Sequence, residues 1–230
     1  MLLQIDSLTA VQDSIAAVEE PLQDSINLWT MAQYGGWIMI ILALLLAWGV
    51  YIFIERLVVL KSATTEDKSF MNRIRDYIHE GKIDSAVNLC RQTDTPSSRM
   101  VEKGISRIGR PMQDVQVAIE NVGNLEIANL EKNLVIMATI AGGAPMLGFL
   151  GTVLGMVQTF FNMAQNASGV IEMSALSEGM YQAMVTTIGG LIVGILAMFA
   201  YNFLVARIDR VVRTLEARTL EFMDLLNEPA

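Results

Sequence analysis

The sequence predicts an all-α integral membrane protein with three transmembrane helices, the second and third extending into a cytoplasmic helical region. Three observations carry this. Of 230 residues 53% are hydrophobic, and the mean hydropathy is +0.43, above the range of ordinary soluble domains. Three segments are apolar for the ~20 residues that a hydrocarbon core demands. The 16 Lys and Arg residues all fall within 55–132 or after 206.

That charge distribution orients the chain. Residues 1–54 hold five acidic residues and no Lys or Arg, whereas Arg56, Lys61, Lys132, Arg207, Arg210 and Arg213 stand near membrane ends. Basic residues flanking spans stay on the cytoplasmic side. The N-terminus is therefore expected outside, and both the 55–132 region and the C-terminal tail inside. Segment 55–132 balances 12 basic with 12 acidic residues, which leaves no footprint for nucleic acid. His79 and Cys90 are single, so neither an intramolecular disulfide nor a metal set follows, and the expected readings are a surface histidine and a buried helix-face cysteine. No enzyme and no cofactor are expected, since no nucleophile–base pair is visible.

The elements follow in order. Residues 1–30 place Leu8, Val11, Ile15, Val18 and Leu22 at near-helical spacing, an amphipathic segment for the outer surface, broken near Pro21. Span one is expected over 35–58, with Tyr34, Trp37, Trp48 and Tyr51 as interfacial anchors. A cytoplasmic helical region follows over 61–132. In it Met71, Ile74 and Ile78, then Ile83, Val87 and Leu89, mark two helices parted by Gly81, and Pro96 and Pro111 punctuate further turns. From Met112 to Lys132 the pattern Val115, Ile119, Val122, Leu125 or Ile127, Leu130 is helical and leads directly into span two, expected over 133–163. A periplasmic loop over 164–177 holds the sequon Asn166-Ala-Ser168. Span three is expected over 178–206, and Ile208, Val211, Val212, Leu215, Leu220 and Met223 continue it as a cytoplasmic tail helix over 207–230.

Span two is unusual. Between Asn133 and Glu172 lie 38 residues without an ionisable side chain, yet the centre, Ala144-Pro-Met-Leu-Gly-Phe-Leu-Gly-Thr-Val-Leu-Gly155, gives up apolar area to glycine. Gly148, Thr152, Gly155 and Thr159 fall on one helical stripe. Span three matches it with Ala183, Thr187, Gly190, Gly194, Ala197 and Tyr201, and Thr186 lies beside them. Gly151-xxx-Gly155 and Gly190-xxx-Gly194 have the spacing of closely packed membrane helices. Packing alone explains the glycines, and a threonine can bond its own i−4 carbonyl. Two such faces bearing threonines at mid-depth also suit a narrow polar path. Ion paths normally carry Asp, Glu or His inside the spans, and the central turns of spans two and three have none. Glu178 stands at the outer start of span three, a candidate periplasmic entry, and Gln182 lies a turn deeper. Any titrating carboxylate must then come from another polypeptide.

The run Ala144–Met156 with Phe160 resembles the span-two signature of the ExbB/TolQ/MotA proton-channel family. Thr186-Thr-Ile-Gly-Gly-Leu191 and Tyr201-Asn202 resemble its span-three signature, and Gly81–Cys90 is similar to the ExbB branch. The likeness covers about residues 35–220 and suits three-span ExbB and TolQ better than four-span MotA. It implies a stator-like subunit in a bacterial inner membrane, a homo-pentamer around a single-span ExbD/TolR-type partner that carries the titrating Asp, with a TonB-like protein beyond. It also implies that Thr152 and Thr187 line the pore, with Thr186, Thr159 and Gln182 contributing, while Gly148, Gly151, Gly155, Gly190 and Gly194 pack the helices. Gln182 stands where some ExbB proteins have glutamate, and Leu196 where a proline is frequent. TonB-dependent uptake is the implied task. A TolQ-like envelope-maintenance motor, another surface machine, and a non-conducting scaffold are the alternatives.

Overall fold

The computed structural model describes residues 35–64, 69–165 and 173–227. The segment expected at 1–30, Tyr34, and residues 166–172 of the expected 164–177 loop, with the sequon, lie outside the described residues, while 164–165 and 173–177 are helical. Among these residues every regular element is helical: α1 (Gly36–Thr64), α2 (Phe70–His79), α3 (Ile83–Thr93), α4 (Pro96–Ile105), α5 (Met112–Glu131), α6 (Leu134–Gln165) and α7 (Met173–Asn227). Three stretches are long and apolar enough to cross a membrane: α1, α6 counted together with α5, and α7. Helices are what such sequences must form in lipid, where no water satisfies a free N–H or C=O. This overrides the poor helix propensity of the glycines in α6 and α7.

The three long helices form one bundle, with α6 lying along α7 and α1 packing mainly on α7. On α1, Ile38, Leu42, Gly49, Ile52, Arg56 and Leu60 form the buried stripe, whereas Trp37, Ile40, Leu44, Trp48 and Tyr51 point outward. An apolar outer face of this extent is a liability in water and an ordinary surface in a bilayer.

At its 55 residues, α7 is roughly 80 Å long at 1.5 Å per residue, against a hydrocarbon core of ~30 Å. Its C-terminal half therefore stands outside the core and supports α2–α5. There Phe222 and Leu225 are buried along with Ile208, Val211 and Leu215. The tail pattern Leu220 and Met223 misses them: Leu220 is exposed and Met223 half-buried. The reason is Gly104 of α4, whose missing side chain admits the Phe222 ring. Two further readings are sharpened. On α5, Ile127 turns inward and Leu125 outward, and on α3 the deepest residues are Ala86 and Cys90. Pro96 opens α4 rather than merely breaking the chain, because Thr95 and Ser98 form a capping box around it.

The junction of α5 and α6 departs from the straight run expected there. Lys132 takes φ −51°, ψ 138°, and Asn133 takes a left-handed φ of 67°. Asparagine tolerates that conformation better than most residues. Its Nδ2 donates to Glu55 Oε2 at 3.2 Å, and Arg56 Nη1 donates to the Asn129 carbonyl at 3.1 Å. The end of α1 thus holds the corner where α5 becomes α6.

Candidate functional site between the second and third spans

The α6–α7 contact is built from absent side chains. A Cβ on Gly190 would stand 2.6 Å from the Ala144 carbonyl and 2.8 Å from Gly148 Cα; one on Gly148 would stand 2.9 Å from the Thr186 carbonyl. In each case the obstacle is backbone, which cannot swing aside. Gly194 accepts the ring of Pro145, whose Cγ would lie 2.5 Å from an added Cβ. Pro145 supplies no N–H to α6, and the Ala141 carbonyl beside it also faces Gly194.

Two threonines fill reciprocal glycine notches. Thr186 of α7 sits in the notch at Gly151, 1% exposed, its hydroxyl donating to the Ala183 carbonyl at 2.8 Å. Thr159 of α6 sits over Gly179, which it would collide with if that residue had a side chain, and donates to the Gly155 carbonyl at 2.8 Å. Gly155 itself is looser, since its added Cβ would meet Ala183 Cβ at 3.1 Å.

Between those notches Thr152 and Thr187 meet directly, hydroxyl to hydroxyl. Each also reaches two carbonyls. Thr152 Oγ1 lies 3.1 Å from the Ala183 oxygen of α7 and 3.4 Å from the Gly148 oxygen of its own helix. Thr187 Oγ1 lies 3.3 Å from the Gly148 oxygen of α6 and 3.5 Å from Ala183 of its own. Both carbonyls are the i−4 partners of the threonines, so the pair makes a cross-brace of four oxygens. A hydroxyl supplies one proton and two lone pairs, which leaves acceptors in excess. Both side chains are only half-buried. Such a cluster can accept hydrogen bonds from a proton carrier or coordinate a small cation but cannot itself titrate, because no carboxylate or imidazole accompanies it: residues 134–171 hold no ionisable group.

The remaining candidates lie elsewhere on α7. The Gln182 amide reaches Gly36 at the start of α1, with Nε2 2.9 Å from the position of an added Cβ there. Glu178 is exposed near the N-terminal end of the helix. Ala183 and Gly179 were not singled out from the sequence as site residues for their backbone roles. Gly179 does precede Ala183 by four residues, which is the signal that could have found it.

In the described helical region outside the bundle, burial and the Glu102 carboxylate push the Cys90 thiol up to about 12. Arg99 is held charged chiefly by Glu126, which it meets with two hydrogen bonds, and by Asp94. These are devices of stability and lie away from the threonine pair.

The fold and site define a polytopic helical membrane protein whose second and third spans form one glycine-packed, threonine-bearing pair. The chain belongs to the MotA/TolQ/ExbB proton channel family, whose model matches residues 92–217, from the end of α3 into the C-terminal half of α7. It is similar to an ExbB homolog among the biopolymer transport proteins of Methanothermobacter thermautotrophicus, 29% identical over 81% of this chain and 66% of the relative. It is 40% identical to the biopolymer transport protein ExbB of Aquifex aeolicus over 34% of this chain and 52% of that one. The Tol-Pal system protein TolQ of Haemophilus influenzae is 26% identical over 78% of this chain and 82% of its own length. The matches thus span about half to two thirds of the two ExbB relatives.

Proposed function

We propose that this chain is a proton-conducting stator subunit of an inner-membrane energy-transducing complex, ExbB-like, with its N-terminus periplasmic and its C-terminus cytoplasmic. The observation that carries the reading is the Thr152–Thr187 cross-brace set between helices without a central carboxylate. In this reading a homo-pentamer surrounds a single-span ExbD/TolR-type partner, and the partner's Asp brings the titrating group to the acceptor-rich oxygens. The partner's Asp holds the proton, and Thr152 and Thr187 orient that carboxyl by hydrogen bonding. Thr159 and Thr186, in their notches, fix the register of the wall, and Gln182 and Glu178 stand on the periplasmic approach. The work available is about 2.3 kcal/mol per charge per 100 mV, enough to bias a conformational step, and it is spent on the outer membrane through a TonB-like protein.

A TolQ-like role in envelope maintenance is the second reading, favoured by the likeness to the Haemophilus TolQ along 78% of the chain. A non-conducting scaffold needs the glycines but not two half-buried hydroxyls facing each other. Thr187→Val is nearly isosteric and removes the hydroxyl. With the partner present in liposomes, the variant should assemble normally and lose at least tenfold in proton flux, the scale of one ~1.4 kcal/mol electrostatic contribution. Undiminished flux sinks the pore assignment of Thr187, whereas absence of flux from the unaltered chain with its partner favours the scaffold.

A further inference from the structure

A second feature of the bundle lies C-terminal to the threonines along α7. A cavity of about 720 Å³ opens between α1 and α7, with α6 behind it, and is lined by Leu45, Gly49 and Phe53 of α1 and Val193, Ala197 and Phe203 of α7 among other apolar residues. Gly49 deepens it, since a Cβ there would come within 3.8 Å of Ile140 and 3.9 Å of Met137 on α6. From Val193 to Phe203 the groove covers about 15 Å of α7, half of a ~30 Å hydrocarbon core, which is the depth of one leaflet. One end is closed by the Phe53–Phe203 ring pair, whose centroids are 6.1 Å apart. Over the Phe203 ring, 5.2 Å from its centroid, stands the guanidinium of Arg207, an exposed residue.

We propose that this groove holds one acyl chain of an anionic phospholipid, whose phosphate meets Arg207. Apolar lining alone would not select a lipid, because lipid tails are as apolar as the side chains and packing there brings no hydrophobic gain. Selection must come from the headgroup, and the groove ends at a cation whose planar fork suits phosphate. The nearest carboxylate on α1, Glu55, is already paired with Arg56 and Asn133, so it does not cancel that charge. The leaflet concerned is the cytoplasmic one under the orientation proposed above; the groove and its charge do not depend on proton conduction.

The test is native mass spectrometry of the full chain released from membranes and offered equal amounts of phosphatidylglycerol and phosphatidylethanolamine. The wild type should retain phosphatidylglycerol about fivefold over phosphatidylethanolamine, the ratio that ~1 kcal/mol per basic residue at an anionic surface gives. Arg207→Gln should abolish that preference, Arg207→Lys should keep most of it, and Leu196→Trp, which fills the groove from an exposed position, should reduce retention of both lipids. Equal retention by the wild type overturns the proposal, as does an unchanged preference in Arg207→Gln. A Leu196→Cys chain that cross-links efficiently to a second copy also overturns it, because the groove is then filled by protein.

Discussion

A threonine inside an apolar helix ordinarily spends its hydroxyl on the carbonyl four residues back, and Thr139, Thr159, Thr214 and Thr219 all do so. Thr152 and Thr187 differ because the opposite helix comes close enough to offer a second carbonyl and a second hydroxyl. Thr152→Ser keeps the oxygen and should retain most of the flux, whereas Thr152→Val should behave like Thr187→Val; equal activity in all three variants would return both residues to a packing role. The stripe that holds these two was legible, because a four-three-four spacing survives in the bare sequence. The seating of Thr186 in the Gly151 notch was not, since which of two adjacent threonines turns toward a neighbour depends on how that helix is rotated. Cys90 offers an independent test in the helices outside the bundle. Its folded value of about 12 lies above the ordinary 9.0, so the unfolded chain loses the thiol proton first. The Cys90 contribution to stability is therefore level below pH ~9 and falls as pH rises from 9 toward 12. At pH 8 the folded protein should resist maleimide and react only on denaturation; rapid labelling of the native protein would show the site open.

At the scale of the helix, glycine fixes how near α6 and α7 approach and therefore whether the threonines can meet. Gly190 faces backbone on three sides, so Gly190→Leu must push the helices apart. Overpacking of this kind costs about 1–3 kcal/mol; the variant should lower the thermal midpoint in detergent and lose flux even with both threonines intact. A variant with unchanged midpoint and flux would mean that the close approach is dispensable. The corner at Lys132 and Asn133 makes a second prediction. Asn133→Ile forces a β-branched residue to the left-handed φ of 67°, at about 1–2 kcal/mol, while Asn133→Gly relieves the backbone and loses only the bond to Glu55. Isoleucine should therefore destabilise more than glycine, and the reverse order in thermal unfolding would contradict the corner. The seven helices were largely legible because apolar periodicity and proline placement mark them. The corner was not: neither Gly nor Pro stands there, and the turn is held by Glu55 and Arg56, more than 70 positions away in sequence. The burial of Phe222 was hidden for a related reason, since its slot is made by Gly104 on another helix.

For the whole molecule, the three apolar stretches and the one-sided placement of basic residues make the membrane architecture plain from composition, while the proposed task is shared out among chains. This chain carries a wall of hydroxyls and carbonyls on a tightly packed helix pair, and an 80 Å-class helix, its length set by 55 residues at 1.5 Å each, that joins the wall to the shorter helices α2–α5. The same helix that carries Thr187 packs on α4 and α5 through Phe222 and Leu215. The proposed division of labour has a direct test. Proton flux is measured by a trapped pH dye in liposomes holding this chain alone, this chain with an ExbD/TolR-type partner, and this chain with a partner whose intramembrane Asp is changed to Asn. Flux should appear only with the unaltered partner. Equal flux from this chain alone would contradict a proton carrier supplied by a second polypeptide.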